Sequence, residues 1–290
     1  MISPRLDRDY ASAVTDTSKS VLLEVMTILG EYREALVLIG GWGPYFLLPQ
    51  TPAAAAGFGS QGKQFRHIGS IDIDLAVNPE RITGEEYKTI VRLLQERGYA
   101  PDPEVKFRLN RSVPGLPSPI GIDFLTTQPP LGQGKAHRHR KVQDGLPARA
   151  TEHLEMALQW NEALSLEGEL PENGGRASVT LRLASLPAMF GLKGLALGAR
   201  YKEKDAYDIY ALARYYGSGI EDVISRLKPN LGDAGLQKGL GNVREKFKSD
   251  KDAGPSWVAN FFSTAQEAER DQLRQDAYLT MDRVLKGCGL

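Results

Sequence analysis

"RHIGSIDIDLAV", residues 66–77, decides how this chain is read. Asp72 and Asp74 sit in a run with Ile71, Ile73, Leu75 and Val77, so polar and apolar positions alternate. Alternation with period two is a strand signal. Residues two apart on a strand point to the same face. A strand over 70–77 therefore sends its aliphatic set into a core and both carboxylates to the other side. Like charges side by side on a half-buried surface repel, and a divalent cation between them would relieve that repulsion.

Upstream, "ALVLIGG" (35–41) reads as a short apolar strand ending at Gly40 and Gly41, and "WGPYFLL" (42–48) starts a helix with Pro44 in its first turn. Before them, 11–36 is a helix with Val21, Leu22, Val25, Met26 and Leu29 on one face. The stretch 49–65, rich in Gly, Pro and Ala, reads as a mobile loop. Downstream, 79–98 is an amphipathic helix stopped by Gly98, 104–112 alternates again, and "IGIDFLTT" (120–127) is a strand carrying a third acid, Asp123. Two further strands are expected at 162–169 and 177–185. Beyond residue 186 the pattern is helical, interrupted by glycines. The fold class is α+β: a mixed sheet with flanking helices over 1–185, then a helical domain over 186–290.

Bulk composition narrows the function classes. The 290 residues carry 36 basic and 36 acidic side chains, so binding to nucleic acid or membrane by overall charge is not implied. The basic segment 129–147 is a local exception, with Lys135, His137, Arg138, His139, Arg140 and Lys141. It reads equally as a grip on an RNA or nucleotide acceptor and as a solvated loop. His137 and His139 lack a third metal ligand at a usual spacing. With one cysteine, Cys288, an intrachain disulfide is excluded. No signal-peptide pattern and no long apolar run stand out, so the expectation is a cytoplasmic protein without a membrane span.

A diglycine after one strand, Asp-x-Asp on a second and a lone Asp on a third, in "LIGGWG", "GSIDIDLAV" and "GIDFL", resemble the nucleotidyltransferase superfamily. The resemblance implies a nucleotidyltransferase-like mixed sheet. It implies that Gly40 and Gly41 let backbone approach the nucleotide phosphates, and that Asp72, Asp74 and Asp123 hold Mg²⁺ (or Mn²⁺) and carry catalysis. The chemistry agrees, because Mg²⁺ takes oxygen ligands and is held by few carboxylates plus substrate phosphates. Ser70, two residues before Asp72, would share its face. There its hydroxyl would meet a triphosphate or bond to the start of the strand.

Further on, "KGLALGARYKEKDAYDIYAL" (193–212) is similar to the downstream motif of AbiEii-type nucleotidyltransferases, the toxins of type IV toxin–antitoxin and abortive-infection systems. Lys193, Arg200, Lys204-Asp205 and Asp208 match it. That implies catalytic roles for Lys193 and Asp208, nucleotide-side roles for Arg200 and Asp205, an RNA acceptor such as tRNA, and a cognate antitoxin as partner. From the residues alone, Leu192, Leu195, Ala196 and Leu197 place Lys193 in an apolar setting, where a buried ammonium needs a phosphate or a carboxylate. Lys204 and Asp208 read equally as a surface i,i+4 ion pair. The implied reaction moves a nucleoside monophosphate from an NTP to an acceptor hydroxyl. The alternatives are a small hydroxylated acceptor, as in antibiotic nucleotidyltransferases, and a non-catalytic nucleotide-binding module within a two-protein complex. The complete set of three aspartates weighs against the non-catalytic module.

Overall fold

The computed structural model describes residues 6–48, 65–128, 139–140, 147–262 and 265–290. The loop read at 49–65 therefore lies outside the described residues except for Phe65. So does most of the basic segment 129–147, Lys135, His137, Arg138 and Lys141 included. Two compact units divide the chain. One gathers Ser12–Trp42 and Ser70–Ser185. The other gathers the described residues of Met1–Ala11, Gly43–Gly69 and Leu186–Leu290.

The first unit is built on a mixed sheet of nine strands among the described residues. They are β1 (Leu36–Ile39), β2 (Ile73–Val77), β3 (Ala100–Pro101), β4 (Arg108–Arg111), β5 (Ile120–Thr127), β6 (His139–Arg140), β7 (Ala148–Thr151), β8 (Asn161–Glu169) and β9 (Arg176–Ala184). The main order is β3-β4-β5-β2-β1-β9-β8, with β7 also pairing β5 and β6 pairing β7. β5 runs parallel to β2 and antiparallel to β4. It is buried along its whole length, which is why it reads as a nearly continuous apolar run.

Helix α1 (Ser12–Ile28) lays the expected face, Val21, Leu22, Val25 and Met26, into the core against β8 and β9. Helix α3 (Gly84–Glu96) starts five residues later than the sequence pattern indicates. Thr83 and Glu86 form a reciprocal capping box there, Glu86 N–H donating to Thr83 Oγ1 and Thr83 N–H to Glu86 Oε2. Tyr87 of α3 meets Phe124 of β5 edge to face at 5.8 Å. A short helix, α4 (Glu155–Gln159), precedes β8.

The second unit is helical. It contains the bulk of α2 (Trp42–Leu47), then α5 (Leu186–Ala199), α6 (Glu203–Tyr215), α7 (Ile220–Leu227), α8 (Ala234–Lys246), α9 (Ala253–Phe261) and α10 (Glu267–Gly287). The glycines of α5 do not break it, contrary to the expectation from sequence. They bring it against α8. A Cβ on Gly194 would lie 2.4 Å from the Gly239 carbonyl oxygen, and one on Gly239 would lie 2.5 Å from that of Gly191. Backbone-to-backbone packing this close accepts only hydrogen at those positions. The mixed sheet with helices, followed in the chain by a helical region, is the α+β class expected.

Candidate functional site

In the sheet unit, strand register assembles the acidic cluster. Asp74 of β2 is the Cα partner of Asp123 on parallel β5, and Arg108 of β4 is the partner of Asp123 on its other side. β2 starts at Ile73, so Asp72 lies in the bend before the strand rather than within it. It still reaches the same place: Asp72 Oδ1 is 3.7 Å from Arg108 Nη1. Arg108 grips Asp123 with two parallel bonds, Nε donating to Oδ1 at 2.6 Å and Nη2 to Oδ2 at 2.9 Å. The guanidinium is thereby held in its charged form, above all by Asp123 and further by Asp72 and Asp74. Burial pushes the Asp123 carboxyl above the ordinary carboxylate value and outweighs the lowering by Arg108, while Asp72 adds to the rise.

Glycines make this arrangement sterically possible. Gly40, just after β1, has φ +70°, and a Cβ there would fall 1.9 Å from Asp74 Oδ2. Gly40 is thus required twice, for its backbone conformation and for the carboxylate lying over it. Gly41 follows it, buried, directly before α2. Ser70 is buried and donates from Oγ to the backbone oxygen of Asp72 at 2.9 Å, shaping the bend that presents that acid.

Hard oxygen donors on adjacent strands are the chemistry Mg²⁺ or Mn²⁺ uses, so the donor set fits such an ion. Among the described residues, however, no group of three or more acidic, histidine or cysteine side chains stands arranged to hold one ion together. Arg108 lies against both Asp72 and Asp123.

The residues of the downstream motif come together in the helical unit, in a buried network. Lys193 Nζ is 3.0 Å from Asp205 Oδ1 and 2.6 Å from Asp208 Oδ2, the latter an ion pair without hydrogen-bond alignment. Arg200 Nε donates to Asp205 Oδ2 at 2.7 Å. Lys204 pairs with Asp208 Oδ1 as the i,i+4 spacing suggested, but in the interior rather than on the surface. The partner required by a buried Lys193 is thus carboxylate. Although burial opposes its charge, Asp208 and Asp205 hold the Lys193 ammonium above its usual value. Asp205 is drawn down to about 2 by Lys193 and Arg200 against its own burial. Burial lowers Lys204 to about 8.

Sequence reasoning missed His67. It is fully enclosed, and its Nε2 is 2.9 Å from Asp208 Oδ1. Gly69 N–H donates to its Nδ1 at 3.1 Å, which leaves the ring proton on Nε2, directed at Asp208. Burial and the neighbouring Lys204 lower it to about 4, so the imidazole is neutral near pH 7. Its ring stacks on Tyr207 at 5.1 Å. His67 and Asp208 are 141 residues apart in the chain, and no local pattern links them.

No family model and no curated protein matches the chain. Among solved structures it is similar to an antigenic nucleotidyltransferase-like protein from Paracoccidioides brasiliensis. The identity is 17% and the TM-score 0.37, over 84% of this chain and 91% of that one. A likeness this loose assigns no residue a role.

Proposed function

We propose that the chain is a metal-dependent nucleotidyltransferase that moves a nucleoside monophosphate from an NTP to an acceptor hydroxyl. One observation carries the reading. Asp74 and Asp123 are register partners on parallel strands, with Asp72 at the same cationic centre and Gly40 kept bare beneath the Asp74 carboxylate. Asp72 and Asp74 would hold Mg²⁺ or Mn²⁺, with Asp123 completing the set. Bound there, the ion would offset triphosphate charge and activate phosphorus toward displacement. Asp123 would orient the acceptor hydroxyl and take its proton, and Gly40-Gly41 would let backbone approach the phosphates. Catalysis of this kind is mostly positioning and electrostatics.

The finer reading rests on the resemblance of 193–208 to AbiEii-type enzymes. It makes RNA, tRNA in particular, the acceptor, and growth inhibition countered by a partner antitoxin the biological role. The test is incubation with each labelled NTP, Mg²⁺ and total RNA. Label should pass to RNA with the wild-type chain and not with Asp74→Asn. Transfer that is equal in the two proteins overturns the assignment of the site. Expression of the wild-type chain alone should slow growth, and Asp74→Ala should not. Normal growth with both removes the toxin role and leaves the transferase reading standing.

A further inference from the structure

The metal site proposed above contains a side chain that sequence reasoning gave no role. Resting on that reading, we propose that Arg108 is a built-in countercation, which holds the acidic site together without metal and competes with a divalent ion for Asp123 and Asp72. Arg108 is a regulatory positioning residue in this scheme, since it acts on the ligands and not on the reacting atoms.

Three observations carry it. First, the grip on Asp123 is bidentate, at 2.6 and 2.9 Å, so both oxygens of that ligand are already engaged. Second, the same guanidinium reaches Asp72 at 3.7 Å, so one cation serves carboxylates from β5 and from the bend before β2. Third, the strand beneath is cleared for it. A Cβ on Gly121 would lie 2.9 Å from Arg108 Cζ and Nε, so a side chain at 121 would force the guanidinium to shift. Gly121 and Asp123 are two apart on β5 and share a face, so the glycine makes room beside the acid that Arg108 holds.

The consequence for metal binding follows from charge. Three carboxylates still outnumber the guanidinium of Arg108 and that of Arg149, which also acts on Asp123, so the cluster stays net negative and a divalent ion is still attracted. It must nevertheless compete for Asp123 with a partner that already engages both oxygens, and it enters near a like charge. Without Arg108 the cluster is more repulsive, and Asp123 loses its bidentate partner. Metal affinity should therefore rise when the guanidinium is removed or displaced. An increase of about tenfold is expected for a partly exposed cation a few ångströms from the ion.

The test is calorimetric titration of the full chain with Mn²⁺ in the absence of nucleotide. The variants are Arg108→Gln, Gly121→Ala and Asp74→Asn. Arg108→Gln should bind Mn²⁺ about tenfold more tightly than wild type, melt lower without metal, and gain more on adding it. Gly121→Ala keeps the charge but pushes it off Asp123, and should shift affinity in the same direction. It also decides the matter if Arg108→Gln does not fold. Asp74→Asn should bind more weakly. If affinity in Arg108→Gln and Gly121→Ala is unchanged or reduced while Asp74→Asn loses Mn²⁺, the countercation role is overturned and the metal site stands. If Asp74→Asn binds like wild type, the metal site itself fails and the inference goes with it.

Discussion

Acid should weaken the helical unit through His67, and the size of the effect can be worked from its surroundings. The buried imidazole donates from Nε2 to Asp208 and accepts the Gly69 amide at Nδ1. Protonating Nδ1 would break the second bond and add a cation beside Lys204 and Lys193, which already share Asp208. Burial and Lys204 therefore bring His67 from 6.5 to about 4, although Asp208 acts in the opposite direction. In the unfolded chain the ring charges at its ordinary value. Between pH 6.5 and 4 the unfolded state thus binds one more proton than the native state, and stability falls as pH falls. The penalty is absent above the unfolded value and complete below the folded one. At about 1.4 kcal/mol per pH unit across that window, it amounts to about 3 kcal/mol.

Urea unfolding of wild type and His67→Gln, repeated from pH 7.5 to 4, isolates this contribution from the other carboxylates that titrate nearby. The wild-type stability should drop by about 3 kcal/mol more than that of the variant over the range. Glutamine can donate to Asp208 but cannot take a proton. Curves that run parallel within 1 kcal/mol would show that His67 titrates normally, and would refute the neutral, amide-accepting ring described above.

Two other substitutions probe the same architecture. Lys193→Met should destabilise the fold by about 3–5 kcal/mol, because Asp205 and Asp208 stay buried with one cation fewer; unchanged denaturation would mean the network is not formed. Gly40→Ala should cost on the order of 1–3 kcal/mol from its positive φ alone, and should also drive Asp74 aside. Comparing its Mn²⁺ affinity with that of wild type checks the displacement, and equal affinity would contradict it.

How much of this was legible in the sequence depends on the range over which each feature is encoded. β5 is legible with its observed bounds because a strand buried on both faces leaves a nearly continuous apolar run, broken here by Asp123 and ending in two threonines. The Asp72/Asp74 pair reads as one face of one strand, whereas the strand begins at Ile73 and a bend held by Ser70 brings Asp72 to the same cation. Alternation in 104–112 indicated a strand, but not which of its charged side chains faces the acids. That is fixed by pairing Arg108 with Asp123 across β4 and β5, a register set by tertiary structure. The glycines of α5 read as interruptions because propensity disfavours them inside helices. Here the contact with α8 requires them, and tertiary packing overrides the local preference.

The helical network has an energetic peculiarity that bears on its purpose. On a surface, an i,i+4 lysine–aspartate pair would contribute a few tenths of a kcal/mol, and little would be lost if it failed to form. Enclosing the Lys204–Asp208 pair with Lys193, Asp205 and His67 reverses that, since every charge left without its partner becomes expensive. Well-packed apolar residues of similar volume would serve stability as well or better. The buried network ties α5, α6 and the 65–69 segment that carries His67 directly to one another. Asp208 is its centre, with two lysines and the imidazole on its two oxygens. Asp205 is the outer member, tied to Lys193 inside and to Arg200, whose side chain is 48% exposed. Within this network an anion arriving from solvent would meet Arg200, the exposed cation, before Lys193, whose ammonium two carboxylates already hold. That order of access distinguishes a fixed scaffold from a site. If Arg200→Gln weakened NTP binding while Lys193→Met changed only stability, the motif would divide between the two roles at Asp205.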